Sequence, residues 1–228
     1  MRIAALDDNI DELDLVRKTM LSIGHECHVF SKGEALLRAL GRESFDLILL
    51  DWELPDISGP EIVEWIRTNI ADPIPVLMLT NRSEEVDVVH ALSIGADDFM
   101  TKPIRAKELT ARVQAILRRL YPPQEKAEYI WGKYRFVTSS QQLEFDGQPV
   151  VLKTKEYELA LFLFRNLGRL LSRQYLKEQL WGIKAAELNS RSLDTHVSSV
   201  RNKLGLNPQN GFRLTSVYGF GYRLEIAE

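Results

Sequence analysis

The chain is organised around an apolar run, Leu47 to Leu50, that ends abruptly on Asp51 and is followed by Pro55 and Gly59. A short apolar run bounded by turn signals is typical of a strand that is buried on both faces in a parallel sheet. Asp51 would then end a central strand, where open α/β sheets place their ligands and chemistry. Taken alone, the same pattern also fits an ordinary Asp that terminates a strand.

Similar apolar segments alternate with helical patterns over the first 120 residues. The predicted strands cover residues 1–6, 27–30, 45–50, 74–79 and 97–100. The predicted helices cover residues 10–23, 34–40, 61–70, 83–94 and 107–120, with Ser83 as the cap of the fourth. This alternation predicts an α/β fold with a five-stranded, doubly wound parallel sheet.

Polar residues stand at the ends of four predicted strands. Asp7 and Asp8 end the first strand, Asp51 the third and Thr80 the fourth, and Lys102 follows the fifth. In a parallel sheet these ends share one edge, so three carboxylates, a hydroxyl and an ammonium should converge there. Clustered carboxylates repel one another unless a divalent cation lies among them, and a site of few oxygen ligands suits Mg²⁺.

Such an edge predicts phosphoryl chemistry. With its charge partly neutralised by the metal, Asp51 can attack a phosphoryl donor as a carboxylate nucleophile and form an aspartyl phosphate. Lys102 would pair with the phosphoryl oxygens, and Thr80 would donate a hydrogen bond to one of them.

Composition favours a cytoplasmic chain with two kinds of partner. No apolar run approaches the ~20 residues that a membrane helix needs, and acids precede any long apolar stretch at the N-terminus, unlike a secretory signal. Cys27 is the single cysteine, which fits a reducing compartment. Residues 1–121 carry 14 Lys+Arg and 21 Asp+Glu, a net −7, whereas residues 122–228 carry 15 and 11, a net +4. The basic half suggests nucleic acid as a partner.

The periodicity changes after a short proline-bearing linker, so we expect domains at 1–120 and 128–228 joined by residues 121–127. Short strands are predicted at 134–137, 142–145 and 149–152, with Asp146-Gly147 as a hairpin turn. Thr154 and Ser172 are predicted to cap two helices, and Gly168 to end the first of them. A third helix at 190–204 and a hairpin at 214–226 complete a pattern typical of an α+β winged helix.

The helix predicted at 190–204 is the most informative stretch of the second half. Leu193, Val197, Val200 and Leu204 fall on one face and should be buried. Short polar and basic side chains cover the remainder and could enter a major groove, although a plain solvated helix face would look alike. They are Arg191, Thr195, His196, Ser198, Ser199, Arg201, Asn202 and Lys203. Tyr218, at the hairpin tip, packs in the wing or contacts a base.

The first half resembles the receiver domain of two-component response regulators. The resemblance covers residues 1–120 through the segments LDDN, DWELPDISG, LT and GADDFMTKP. It implies a flavodoxin-like fold in which Asp51 is the phosphoacceptor. It further implies Mg²⁺ ligands from Asp8, Asp51 and the backbone carbonyl of Glu53, with Asp7 acting through water.

The same resemblance implies a switch and a dimer face. Thr80 and Phe99 are the coupled switch residues of the family, and the Lys102–Pro103 bond is usually cis. The family dimerises through the face formed here by residues 83–119, when phosphorylated. Matching charged residues are Asp97, Asp98, Glu108, Arg112 and Arg118. Val88, His90 and Ser93 stand where charged partners are usual, so the face is only partly matched.

The second half resembles the DNA-binding domain of OmpR/PhoB-type regulators. The resemblance covers residues 128–228 through LKTKEYELALFLFRNLGRLLSR, LWG, RSLDTHVSSVRNKL and VYGFGYRL. It implies that helix 190–204 is the recognition helix and that the hairpin tip reaches an adjacent minor groove. It also implies that the loop 182–189 meets RNA polymerase.

Together these features predict a sequence-specific transcription regulator controlled by phosphorylation from a sensor histidine kinase. Phosphorylation would favour a homodimer that reads tandem half-sites on DNA. Apart from accepting and slowly hydrolysing its own phosphoryl group, the chain is not expected to be an enzyme. Two alternatives remain: a winged-helix regulator that acts without phosphate, and a Mg²⁺-dependent phosphohydrolase, which usually carries a second Asp where Glu53 stands.

Overall fold

The computed structural model describes residues 1–70, 74–82, 84–120, 127–182 and 190–227, with the side chains of residues 120 and 190–192 outside that description. The chain divides into two compact units, Met1–Pro123 and Gln124–Glu228. Among the described residues, no helix is both long and apolar enough to cross a membrane.

The first unit is a parallel sheet with helices between its strands, as predicted. Its strands are β1 (Arg2–Leu6), β2 (Glu26–Phe30), β3 (Leu47–Asp51), β4 (Val76–Thr80) and β5 (Asp98–Thr101). Its helices are α1 (Ile10–Ser22), α2 (Gly33–Leu40), α3 (Gly59–Asn69), α4 (Glu85–Ser93) and α5 (Ala106–Leu120). The strand order is β2-β1-β3-β4-β5, and every pairing is parallel.

The sheet is buried because its central strands are apolar on both faces. β1, β3 and β4 are buried at every residue. One face packs in a cluster with α2 and α3 around Ile48 and Leu50, and the other packs with α1 and α5 around Leu47 and Leu49. Adjacent residues of β3 therefore enter opposite cores, and the carboxyl ends of the strands remain available at one edge.

The second unit contains two antiparallel sheets and three helices. The first sheet runs β6-β7-β8-β9 and the second β10-β12-β11. The strands are β6 (Glu128–Trp131), β7 (Tyr134–Val137), β8 (Gln142–Phe145), β9 (Gln148–Val150), β10 (Leu171–Ser172), β11 (Phe212–Val217) and β12 (Gly221–Ile226). The helices are α6 (Thr154–Arg165), α7 (Arg173–Trp181) and α8 (Ser190–Leu204), and a short 3₁₀ turn covers Pro208–Asn210. The arrangement is a winged helix, as the sequence predicted.

Several local expectations are confirmed. Asp146 and Gly147 both have positive φ, 52° and 76°, and join β8 to β9 as a two-residue turn. Ser172 caps α7 by accepting a hydrogen bond from the Tyr175 amide at 3.2 Å. Gly182, with φ 83°, follows the last residue of that helix. Gly168 does not end α6, which stops at Arg165 with Asn166 as its C-cap.

Other local expectations are corrected. Thr154 is the first residue of α6, and Lys153 takes the cap position because its amide donates to Glu156 at 2.8 Å. The cap position of α4 is Glu84, and Ser83 lies outside the described residues. Strands β6 and β10 were not predicted. β6 alternates half-buried and exposed residues weakly, and β10 is only two residues long, so neither carries a clear strand pattern.

Helix α8 is held in place by a buried carboxylate as well as by its apolar face. Leu193, Val197, Val200 and Leu204 are each at most 2% exposed. Glu156 of α6 is buried and accepts hydrogen bonds from Ser199 Oγ at 2.7 Å and Lys203 Nζ at 2.6 Å. Burial alone would raise the pKa of Glu156, but these bonds and the one from the Lys153 amide lower it to about 2.

Glu156 should therefore stabilise the second unit in a pH-dependent way. Its carboxylate favours the folded state above its ordinary pKa of 4.5, and that gain is lost as the pH falls toward 2. Glu156→Gln should lower the free energy of unfolding by about 1–3 kcal/mol at pH 7 and by roughly half as much at pH 3. Urea unfolding at both pH values measures the difference.

Glu158→Gln is the matched control, since Glu158 lies on the same helix and its partner is the half-exposed Lys155. It should change stability by about 0.5 kcal/mol or less. An equal loss for Glu156→Gln at both pH values would show that the charge of Glu156 is not the source of the effect.

Candidate phosphoacceptor site and DNA-binding surface

Three carboxylates meet at the carboxyl edge of the parallel sheet, where the sequence placed them. Asp7, Asp8 and Asp51 each offer one oxygen, and these oxygens all lie within 4.8 Å of one another. Asp7 and Asp51 are buried, whereas Asp8 is exposed. Gly59 packs so closely on the carbonyl of Asp51 that a Cβ there would collide with it, which explains the glycine after this strand.

Lys102, which follows the last residue of β5, forms ion pairs with two of these carboxylates. Its Nζ lies 2.8 Å from Asp7 Oδ2, 3.0 Å from Asp51 Oδ2 and 2.5 Å from Glu12 Oε2. The side chain of Lys102 is only 5% exposed. With Asp8 included, the site holds four carboxylates and one ammonium. Their formal charges sum to −3 (−4 + 1), which attracts a cation.

Burial and charge both act on the pKa of Asp51, the predicted phosphoacceptor. Burial raises the pKa of Asp51, the hydrogen bond from Lys102 lowers it, and the Asp7 carboxylate raises it again, so the net direction is upward. Burial would lower the pKa of Lys102, but its bonds to Asp7, Glu12 and Asp51 outweigh burial and raise it. Lys102 is therefore a permanent cation in this site.

The second oxygen of each buried carboxylate is held by backbone. Asp51 Oδ1 accepts a hydrogen bond from the Trp52 amide at 2.7 Å, and Asp7 Oδ1 accepts one from the Asn9 amide at 2.8 Å. These bonds fix both carboxylates in orientation before any ligand binds.

The two predicted switch residues lie on β4 and β5, the first and second strands beyond β3. Thr80 is fully buried, and its Oγ1 accepts a hydrogen bond from the Arg82 amide at 3.1 Å. Phe99 is 8% exposed and already packs in the core cluster with Met78 and Ala91. The Lys102–Pro103 peptide is cis, as predicted.

Arg82 spans the mouth of the site. Its guanidinium pairs with Glu53 at 3.1 Å and Asp87 at 3.4 Å, and it stacks over the Trp52 ring at 5.3 Å. The Glu53 side chain is thus directed to Arg82, while its backbone carbonyl is the group predicted to meet a metal.

The chemistry of the donors fits Mg²⁺. Asp7, Asp8 and Asp51 supply hard oxygen ligands from three carboxylates, the ligand type that Mg²⁺ prefers, and a cluster of this size leaves room for water ligands. Asp7 and Asp51 are equally engaged, since both oxygens of each already accept hydrogen bonds.

On α8, the predicted DNA-binding side chains fall into two groups. In the first group, Thr195, Ser198 and Asn202 are exposed. Together with Asp194 and Ser199 they line one shallow depression. Tyr218, at the turn between β11 and β12, is fully exposed. The Arg191 side chain lies outside the described residues.

The other group is engaged within the unit. Arg201 donates to the Leu214 carbonyl at 3.1 Å and to Ser216 Oγ at 3.3 Å, which ties α8 to β11. Ser199 and Lys203 bind Glu156, as described above, and the His196 ring contacts the Trp181 ring edge-on at 5.5 Å. These four side chains therefore also position the helix.

The predicted dimer-face residues form ion pairs within one chain. Arg112 lies 3.0 Å from Asp98 and 2.9 Å from Glu108. Asp97 pairs with Arg67 at 3.0 Å and with Arg119 at 3.8 Å. Arg118, the residue predicted there, is exposed beside Arg119.

Three contributors to the sites were missed from the sequence. Glu12 and Arg82 each had a signal, since Glu12 lies one helical turn after Asp8 and Arg82 lies two residues after Thr80. Glu156 had none beyond its place three residues after a helix cap, because its partners are more than 40 residues away in sequence.

Comparisons with known proteins agree with this geometry. Residues 3–114 match the response regulator receiver domain, and residues 147–224 match the family described as transcriptional regulatory protein, C terminal. The sensory transduction protein RegX3 of Mycolicibacterium smegmatis is 35% identical over 206 residues, 89% of each chain. The alkaline phosphatase synthesis transcriptional regulatory protein PhoP of Bacillus subtilis is 34% identical over 98% of this chain and 96% of its own.

Among solved structures, a two-component response regulator from Clostridium difficile is similar to the first unit. Its TM-score is 0.50 at 26% identity, covering 53% of this chain and 98% of that one. Both units and nearly the full length are thus accounted for by one architecture. The chain belongs to the OmpR/PhoB family of two-component response regulators.

Proposed function

We propose that this chain is a sequence-specific transcription regulator that is switched by phosphorylation of Asp51 from a sensor histidine kinase. One observation carries the proposal: the carboxylate that ends β3 lies 3.0 Å from a buried ammonium, beside two further acids. The second unit supplies the output, because α8 presents exposed polar side chains beside an exposed hairpin turn.

In the proposed reaction, an oxygen of Asp51 attacks the phosphorus of a phosphohistidine. The phosphorus–nitrogen bond breaks, its electron pair returns to the imidazole, and an aspartyl phosphate forms. Lys102 would pair with the phosphoryl oxygens, and Thr80 would donate a hydrogen bond to one of them. Slow hydrolysis by water would release inorganic phosphate and restore the carboxylate.

We propose that Asp8, Asp51 and the Glu53 carbonyl hold a Mg²⁺ ion, with Asp7 acting through water. The ion would neutralise the clustered acids and the charge on the transferring group. The Lys102 ammonium lies slightly nearer to Asp7 than to Asp51, at 2.8 against 3.0 Å, which supports an indirect role for Asp7.

In the proposed switch, the Thr80 side chain changes its position more than the Phe99 ring does. Because Phe99 is already buried, phosphorylation has little ring motion left to drive. The Thr80 hydroxyl must turn to the phosphoryl group, and its bond from the Arg82 amide then has to rearrange. This change would shift the population of two receiver states through the segment that leads into α4.

The output would be a homodimer formed by the face of residues 83–119. Exposed apolar side chains on α4 support this assignment: Val86 is 75% exposed, Val89 59% and Leu92 47%. The ion pairs of Asp97, Asp98, Glu108 and Arg112 would exchange partners across the interface, with Arg118 as an added cation. Two copies of α8 would then reach half-sites about one helical turn apart.

The remaining assignments follow from DNA as the target. We propose residues 1–120 and 128–228 as the working domains and 121–127 as their linker. The hairpin tip with Tyr218 would enter an adjacent minor groove. The loop 182–189, of which residues 183–189 lie outside the described part, would meet RNA polymerase. We also propose that the protein is cytoplasmic, where it would meet the DNA.

A regulator that binds DNA without phosphate is the second candidate. One observation favours it. Arg112 is already paired with Asp98 and Glu108 of its own chain, so its charge is balanced without an ion pair to a second copy. A phosphohydrolase is less well supported, because the Glu53 carboxylate pairs with Arg82 and is not turned to the reacting group.

Incubation with Mg²⁺ and phosphoramidate should add one phosphoryl group to the wild-type chain and none to Asp51→Ala. The adduct should be accompanied by a shift toward dimer. Intact-mass measurement followed by size-exclusion chromatography gives both results.

Asp14→Ala is the control, since Asp14 is an exposed acid paired with Lys18 on α1, and it should behave as wild type. An adduct that persists in Asp51→Ala would place the phosphoacceptor elsewhere. Equal DNA affinity for Asp51→Ala and phosphorylated wild type would favour the second candidate.

Asn202→Ala should weaken specific binding about tenfold, because an amide that hydrogen-bonds a base edge contributes about 1–3 kcal/mol of discrimination. The DNA would be a site selected from a random pool by the phosphorylated wild-type chain. Fluorescence anisotropy measures its affinity beside that of a scrambled sequence, for which binding should change little.

Gln142→Ala removes an exposed amide from β8 and serves as the control, with wild-type affinity expected. Loss of affinity with the scrambled sequence by the same factor would mean that Asn202 contacts the DNA backbone and carries no base readout.

A further inference from the structure

Lys102 has one ion-pair partner that the phosphoryl chemistry does not require. An ammonium has three N–H donors, and three carboxylates surround the Nζ of Lys102. Two of them, Asp7 and Asp51, belong to the carboxylate cluster at the sheet edge. The third is Glu12, whose oxygen lies 2.5 Å from Nζ, nearer than either of the others.

Glu12 is also the most exposed of the three partners. Its side chain is 26% exposed, against 5% for Asp7 and 7% for Asp51. It stands in the first turn of α1, where the Asn9 side chain accepts from the amides of Asp11 and Glu12. The Asn9 amide in turn donates to Asp7, so the position of Glu12 is tied to the cluster by a short chain of hydrogen bonds.

We propose that Glu12 is a positioning residue that competes with the phosphoryl group for Lys102. This inference rests on the proposed phosphorylation of Asp51. When the phosphoryl group is transferred, new anionic oxygens appear beside Lys102, and the Asp51 oxygen that attacks becomes the bridging oxygen of a mixed anhydride and loses its charge. The positive charge of Lys102 is then shared between the phosphoryl oxygens and Glu12.

Removal of the Glu12 charge should raise the rate of phosphoryl transfer to Asp51 in two ways. It removes the acid nearest to the Lys102 ammonium, so that this cation can pair more fully with the phosphoryl group, and it reduces the charge of the four acids from −4 to −3, which weakens repulsion of an anionic donor. Because Lys102 is almost fully buried, its ion pairs are less screened than pairs at the surface. Glu12 therefore slows the transfer to Asp51.

The test is the rate at which Mg²⁺ and acetyl phosphate phosphorylate the intact chain, followed by mass. In this reaction Asp51 attacks phosphorus, the phosphorus–oxygen bond to the acetyl group breaks, and acetate leaves with the electron pair. Glu12→Gln should raise the rate about three- to tenfold over wild type. An unchanged or lower rate would overturn the inference.

Glu12→Asp separates the contact from the charge, because it keeps the charge but shortens the side chain by one methylene. If the contact with Lys102 matters, Glu12→Asp should be nearly as fast as Glu12→Gln. If Glu12→Asp remains as slow as wild type while Glu12→Gln is fast, the effect is one of pocket charge alone and the competition for Lys102 is wrong.

Asp11→Asn is the matched control. It removes one charge from the same helical turn, at an exposed residue that is not among the ion-pair partners of Lys102, and its rate should stay within about twofold of wild type. Thermal unfolding without Mg²⁺ or donor should be alike for Glu12→Gln and Asp11→Asn, which separates the kinetic effect from a loss of structure. Absence of any adduct on the wild-type chain would instead contradict the proposed function, so the two failures are distinguishable.

Discussion

The concentration of like charge at one sheet edge is the constraint on which the first unit depends. Asp7 and Asp51 are buried beside exposed Asp8, and the Lys102 ammonium is the cation that makes this arrangement tolerable in a folded chain. Buried carboxylates without such a partner would take up protons. The same excess of negative charge that destabilises this sheet edge would attract a divalent cation, so the cost in stability and the proposed phosphoryl chemistry would have one origin.

In the second unit, helix α8 presents a polar surface and is also held rigidly in place. The apolar face of α8 supplies burial, but apolar contacts alone leave rotation about the helix axis weakly defined. Glu156, which binds Ser199 and Lys203, and Arg201, which binds β11, fix that rotation with directional bonds. The side chains of Thr195, Ser198 and Asn202 are exposed on the same helix, and under the proposed function they would read base edges.

Most of the fold could be predicted because its signals are local. Apolar runs and helical spacing specified the parallel sheet, and residues at strand ends specified which side chains meet at its edge. The cap of α6 was placed one residue late because Thr is a common cap, whereas here Glu156 bonds the Lys153 amide. Strand β10 and the roles of Glu12, Arg82 and Glu156 depend on partners distant in sequence, and periodicity carries no information about such pairs. The family resemblance added residue roles that spacing alone would not give.

The ion pairs on α5 explain how a small chemical change could alter the state of association. Arg112 is satisfied by Asp98 and Glu108, and Asp97 by Arg67 and Arg119, so a free monomer leaves none of these charges unpartnered. In a dimer the same charges would exchange partners, and since each pair is partly exposed the exchange involves little net free energy. The balance would then rest on the apolar side chains of α4, whose burial favours association. Under the proposed switch, a modest rearrangement near Thr80 would then be enough to shift an equilibrium whose opposing free-energy terms nearly cancel.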